Sequence, residues 1–225
     1  MLDGYLMRKK SLILLILHLN FGKTSGKYSL LFEDKLTNYF GSKGAFLVNS
    51  GSSANLLAIS ALTSSKIGDK RLKPGDEVIT VAAGFPTTVF PIIQNSCIPV
   101  FIDVDLETHN IDIELVEMAI TDKTKAIILA HTLGNPFNLD KITRIASSYN
   151  LWLIEDNCDA LGSRYDNKLT VSFGDLATLS IYPAHHITTG EGGCVIVNIE
   201  ISLSIVESFR DWGRDCYCLP GKSNT

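Results

Sequence analysis

Between residues 45 and 198 the chain returns again and again to short apolar runs with almost no polar interruption, most of them separated by stretches of helical spacing. Residues 45–48, 77–82, 99–104, 125–130, 151–154, 176–181 and 193–198 read as strands. Residues 33–40, 54–62, 85–95, 113–120, 139–149 and 203–214 read as helices. A strand with one wet face alternates polar and apolar residues, so runs without alternation belong to a sheet covered on both sides. The strand–helix order predicts an α/β fold, a mostly parallel sheet with helices on both faces. With no repeat or linker inside it, this is one domain. In such sheets ligands sit beyond the carboxyl ends of the strands, which directs the search for chemistry to those ends.

Composition narrows the partners. A length of 225 residues and an apolar content of 45% support a sizeable single core. A net charge of −4 without a basic block argues against nucleic acid. Five cysteines without a repeating framework fit a reducing, cytoplasmic compartment better than a disulfide scaffold. The stretch M-R-K-K-S-L-I-L-L-I-L-H-L, Met7 to Leu19, has the basic start and apolar run of a signal peptide. It is too short to span a bilayer comfortably, and Asn20, Phe21 and Gly22 offer no small-x-small cleavage site.

Three sets of polar groups fall at strand ends. Gly51, Ser52 and Ser53 open a helix, where free N–H groups and hydroxyls suit an anion such as a phosphate; a plain serine cap is the simpler alternative. Glu155 and Asp156 follow the strand at 151–154, where a carboxylate can hold a protonated pyridine nitrogen. The third set is S-I-Y-P-A-H-H-I-T-T-G-E-G-G-C, Ser180 to Cys194, a Pro-kinked turn with two histidines and a Gly-rich return into the last strand. Phe85, after Ala83 and Gly84, can lie against a flat ring or in the core.

A phosphate cup, an acidic partner and an aromatic face together describe a pyridoxal phosphate pocket. On S-G-S-S-A-N (Ser50–Asn55), E-D-N-C-D-A-L-G (Glu155–Gly162) and the Ser180–Cys194 stretch, the sequence resembles the DegT/DnrJ/StrS-type sugar aminotransferases. These are a branch of the type I, PLP-dependent aspartate aminotransferase fold. The resemblance implies that Gly51, Ser52, Ser53 and Ser180 hold the phosphate, Asp156 pairs with the ring nitrogen, Phe85 stacks, and Asp159 belongs to the cofactor contacts. It also implies a homodimer.

One position departs from that pattern. Where the family places the lysine that binds the cofactor as an imine, this chain has His185. An imidazole forms no stable imine, yet it moves protons near neutral pH. The same exchange marks the 3-dehydrases of deoxysugar biosynthesis. A-A-G-F-P-T-T (Ala82–Thr88), A-H-T-L-G-N-P-F-N-L (Ala130–Leu139) and Y-P-A-H-H-I-T (Tyr182–Thr188) resemble the CDP-4-keto-6-deoxyglucose 3-dehydrase branch, which serves lipopolysaccharide 3,6-dideoxyhexose synthesis. That resemblance implies noncovalent pyridoxamine 5′-phosphate, a nucleotide-sugar substrate and His185 as the catalytic base. It also implies a [2Fe–2S] cluster fed by an iron–sulfur flavin reductase.

The cysteine spacing agrees with that branch. Cys158 and Cys216 enclose the 57 residues 159–215, and Cys218 follows Tyr217; the fourth ligand of the pattern would fall at position 226. Cys158, Cys216 and Cys218 are therefore the expected metal ligands, and the set is incomplete in this chain. Residues 1–19 are expected to match nothing in the family and read as a frame change or gene-fragment start; the chain divides into an atypical segment, residues 1–22, and the large domain, residues 23–225. The resemblance implies a smaller C-terminal domain as well, which is expected to be missing from this chain. The expected function is a C-3 dehydrase or a fragment of one, with a sugar aminotransferase as the second reading and a non-catalytic remnant as the third. The chain alone is expected not to carry sugar through the full, reductase-dependent reaction. A trace of the dehydration half-reaction, which needs only cofactor, His185 and bound sugar, is the most expected of it.

Overall fold

The computed structural model describes residues 26–214. The readings placed on residues 1–22, Cys216 and Cys218 lie outside them. Five helices and nine strands occur among the described residues. In chain order they are α1 (Lys27–Phe40), β1 (Gly44–Val48), α2 (Gly51–Ala61), β2 (Glu77–Val81), α3 (Pro86–Gln94), β3 (Ile98–Ile102), β4 (Thr124–Ala130), α4 (Leu139–Ser148), β5 (Trp152–Asp156), β6 (Arg164–Tyr165), β7 (Lys168–Leu169), β8 (Leu176–Ser180), β9 (Gly193–Val197) and α5 (Glu200–Arg210).

Seven strands form one sheet in the order β1-β9-β8-β5-β4-β2-β3, and β6 and β7 pair separately as a small hairpin. All neighbours in the large sheet run parallel except β9, which is antiparallel to both β1 and β8. The reversal follows from the return at residues 181–192, which folds the chain back beside the strand it has just left. The expected α/β architecture holds.

Alternate residues of each strand feed opposite faces. On one face Ala54, Leu57 and Ala58 of α2, Ile92 of α3 and Val206 of α5 pack against Val78, Ala126, Ile154 and Val195. On the other, Leu139, Ile142 and Ile145 of α4 meet Ile79, Ile127, Leu129 and Leu153, while Leu36 and Phe40 of α1 meet Ala177, Leu179 and Ile196. Burial on both faces is what the unbroken apolar runs demanded.

Local chemistry sets the helix ends. Gly41 ends α1 at φ 64°, a left-handed position that glycine takes without penalty. Asn138 caps α4 by accepting from the Lys141 N–H at 3.0 Å, and Pro86 opens α3 at its first position. Several boundaries differ from the sequence reading: α1 starts at Lys27 rather than at residue 33, and α2 at Gly51 rather than at residue 54. Residues 113–120 form two short 3-10 turns, Ile113–Leu115 and Glu117–Ala119, because only Val116 there is buried and Ile120 must extend toward β4. Glu155 and Asp156 are the last two residues of β5 rather than residues after it. The final helix starts at Glu200 and stops at Arg210. Among the described residues no helix is long and apolar enough to cross a membrane.

Candidate active site

The site is built at the carboxyl edge of the parallel strands. Chain leaving β1 turns at Ser50, which is extended (φ −165°, ψ 163°) and caps α2 by accepting from the Ser53 N–H at 3.1 Å. The N–H groups of Gly51 and Ser52 keep no partner among the described residues, and they sit at the positive end of the helix. Ser180, the last residue of β8, comes directly against this helix start. A Cβ on Gly51 would stand 2.6 Å from Ser180 Cβ and 3.1 Å from both Ser180 Oγ and Cys158 Sγ. Only glycine permits that approach. Gly193 permits the matching one from below, since a Cβ there would lie 2.2 Å from the Ser50 carbonyl oxygen. Gly51, Ser52 and Ser180 thus make an anion cup. Ser53 stands apart from it: its N–H is taken by the cap, and it borders a cavity of about 590 Å³ with Leu56, Ser60 and Arg210.

Asp156 lies at the end of β5 with 5% of its surface exposed. Its Oδ2 accepts from Asn55 Nδ2 at 2.8 Å and from Thr88 Oγ1 at 2.7 Å; its Oδ1 accepts the Cys158 N–H at 3.2 Å. Asn55 in turn accepts from Thr178 Oγ1 at 2.6 Å. A carboxylate has about four acceptor sites, and the fourth, on Oδ1, faces only the weakly donating Cys158 thiol, which a stronger donor can displace. Neither Thr88 nor Thr178 was visible as a site residue in the sequence, although both lie inside or beside the motifs.

His185 reaches this edge from the exposed turn after β8. The neck of the turn is closed by the Ile181 N–H donating to the Gly192 carbonyl at 2.8 Å. A second bond, from the His185 N–H to the Tyr182 carbonyl at 3.0 Å, tucks the histidine back. Its Nδ1 then lies 3.2 Å from Asp159 Oδ1. A neutral imidazole that donates from Nδ1 to this carboxylate carries its lone pair on Nε2, the arrangement a base requires. His186, its neighbour, points to no such partner and is exposed. Phe85, the residue that begins α3, is 71% exposed and available as a face for a flat ring.

A pyridine ring carrying a phosphate fits these residues: a cup that a Cβ would obstruct, an acid whose fourth acceptor site meets only a thiol and an uncovered aromatic ring. An iron–sulfur cluster finds less. Of the expected ligands only Cys158 is described, and its thiol lies against Gly51 and Ser180. Burial, with Asp156 and Asp159 adding to it, pushes that thiol well above its usual range. Cys194 is buried in the core, where burial raises its thiol, and burial holds Cys97 at about 11. No group of three or more His, Cys, Asp or Glu able to hold a metal occurs among the described residues.

Comparison with known proteins gives a consistent result. The sequence model of the DegT/DnrJ/EryC1/StrS aminotransferase family matches residues 9–218, so the match begins inside the N-terminal stretch that the sequence reading sets apart from the family. The chain is 61% identical to the lipopolysaccharide biosynthesis protein RfbH of Salmonella typhimurium over 202 residues, covering 90% of this chain and 46% of that protein. It is 59% identical to the dTDP-4-dehydro-2,6-dideoxy-D-glucose 3-dehydratase of Saccharopolyspora spinosa, covering 86% of this chain and 42% of that enzyme. Among solved structures, the E. coli GDP-4-keto-6-deoxy-D-mannose-3-dehydratase with bound hydrated PLP superposes with a TM-score of 0.75. Its identity is 42%, over 81% of this chain and 46% of that one. The chain spans less than half the length of these relatives.

Proposed function

The chain belongs to the DegT/DnrJ/EryC1/StrS aminotransferase family, and from that premise we propose that residues 23–225 are the cofactor-holding domain of a nucleotide-sugar C-3 dehydrase. The substrate class is a nucleotide-linked 4-keto-6-deoxyhexose, of the kind used for lipopolysaccharide sugars, and the compartment is the cytoplasm. The observation that carries this reading is His185, paired with Asp159 at 3.2 Å, where the resemblance places a lysine. An aminotransferase of the parent family needs an amine at that position to regenerate its cofactor, and an imidazole cannot provide it.

Pyridoxamine phosphate, when bound, would supply an amine for the 4-keto group and a ring able to accept the electrons left after deprotonation. The chain's own residues divide the remaining work. Gly51, Ser52 and Ser180 bind the phosphate through N–H groups, a hydroxyl and the helix dipole. Asp156 holds the ring nitrogen protonated through its fourth acceptor site, and Phe85 covers one ring face. Asp159 orients His185, whose Nε2 would take the proton given up at the cofactor's amine-bearing carbon and return it to the departing 3-hydroxyl, which leaves as water. The [2Fe–2S] cluster, its flavin reductase and the homodimer stay part of the proposal through the Cys158–Cys216–Cys218 spacing and the family resemblance. No step above runs through the cluster.

The test is incubation with pyridoxamine phosphate and a nucleotide-linked 4-keto-6-deoxyhexose in heavy water, followed by mass spectrometry. The dehydrase reading expects loss of the 3-hydroxyl that depends on His185 and vanishes in His185→Asn. An amino sugar as product supports the aminotransferase instead, and binding without any turnover supports the remnant reading.

A further inference from the structure

We infer that Asn55, Thr88 and Thr178 are positioning residues that set the distance between the phosphate cup and Asp156, an inference that rests on the cofactor reading above. Each sits on an element that also carries a site residue. Asn55 lies one helical turn beyond Gly51 in α2, Thr88 three residues beyond Phe85 in α3, and Thr178 two residues before Ser180 in β8. All three are buried, and all converge on the carboxylate that ends β5. Thr178 donates to Asn55 at 2.6 Å, Asn55 to Asp156 Oδ2 at 2.8 Å, and Thr88 to the same oxygen at 2.7 Å.

The direction of the relay is forced. Were the Asn55 amide reversed, its carbonyl would face the carboxylate, acceptor against acceptor. The Asp156 charge therefore orients Asn55, and Asn55 receives the Thr178 hydroxyl. Two donors occupy Oδ2, the rotamer is fixed, and the displaceable site remains on Oδ1. A ligand that bridges cup and carboxylate meets both ends at a preset separation. A ligand that fills only the cup does not sense the relay at all.

That difference supplies the test, made on the full chain with two probes, inorganic phosphate and pyridoxamine phosphate, by isothermal titration. Thr88→Val should weaken pyridoxamine phosphate about tenfold, the size carried by one charge-assisted hydrogen bond, and leave phosphate affinity unchanged. Thr88→Ser, which keeps the hydroxyl, should restore it to within about twofold. The absorbance change of bound pyridoxal phosphate that follows loss of the ring proton should move to lower pH in Thr88→Val. Should Thr88→Val not fold, Thr88→Ala removes the same bond to the carboxylate without touching the cup and should show the same selective loss. Equal weakening of both probes, or unchanged pyridoxamine phosphate affinity in a folded variant, overturns the inference. Failure of the unmutated chain to bind pyridoxamine phosphate overturns the cofactor reading and this inference with it.

Discussion

Glu155 and Asp156 are adjacent, acidic and buried, yet they hold together two different regions of the molecule. Strand alternation sends them to opposite faces of the sheet. Glu155, on the α4 face, has every acceptor site filled. The Phe173 and Gly174 N–H groups donate to Oε1 at 2.8 and 2.7 Å, and the Val171 N–H and His131 Nε2 meet Oε2 at 2.9 and 3.0 Å. His131 itself stacks on Phe137, ring centroids 4.4 Å apart. This carboxylate pins the 171–174 turn, including Val171 at φ 84°, a conformation a β-branched residue rarely takes. The turn leads straight into β8 and so fixes where Ser180 arrives. Asp156, on the α2 face, is bonded by two side chains and the Cys158 N–H, and its fourth site faces only the weakly donating Cys158 thiol. A saturated carboxylate builds the scaffold, and one with a displaceable partner is left for a ligand.

The sharpest way to break that contrast is to remove each acid in turn. Glu155→Ala strands three backbone N–H groups and His131 in the interior. It should cost on the order of 3–5 kcal/mol in urea unfolding, enough to threaten the fold. A loss under about 1 kcal/mol would mean that the turn is held by something else. Asp156→Asn keeps the shape and most of the bonding, so the fold should survive with a loss of about 1–2 kcal/mol, while pyridoxamine phosphate affinity falls about ten- to a hundredfold. Equal damage to stability from both variants would erase the distinction drawn here.

A smaller effect sharpens the scaffold side. Asp175 closes the same turn by accepting the Leu153 N–H at 2.9 Å, and burial raises its carboxyl above the usual range despite that bond and Lys70. Between the ordinary and the raised value the folded chain binds more protons than the unfolded one. Stability from this group therefore falls as pH rises through that window. Asp175→Asn should flatten this part of the stability–pH profile, read from thermal melts across the acidic range. An unchanged slope would place the proton elsewhere, with Glu33, also raised by burial, as the next group to examine.

How much of this the sequence carried depends on the range of each interaction. The strands were legible because burial on both faces writes itself into consecutive residues. The serine-capped start of α2 was legible because Ser50–Asn55 is local to it. The relay was not, because its bonds join Asn55 to Asp156, Thr88 to Asp156 and Thr178 to Asn55 across 101, 68 and 123 residues. A threonine in a helix or an apolar strand looks the same whether or not it meets a distant carboxylate. The Glu155 latch was hidden for a related reason, since backbone N–H partners leave no mark in side-chain identity. Residues 113–120 show the converse: apolar spacing of the right period packs Val116, Ile113, Ala119 and Ile120 onto the core, yet the segment forms two 3-10 turns because a short run gains little from a continuous helix.

The central claim is that this edge holds a pyridoxal-type cofactor through its phosphate and ring nitrogen without a covalent bond. The most direct measurement is titration with pyridoxal phosphate, reduction with borohydride, and peptide mapping by mass spectrometry, with inorganic phosphate as competitor. The account predicts saturable binding displaced by phosphate, no fixed adduct on the peptide spanning Ser180–Cys194 in the native chain, and an adduct there in His185→Lys. A fixed adduct on that peptide in the native chain, or binding indifferent to phosphate, would contradict it.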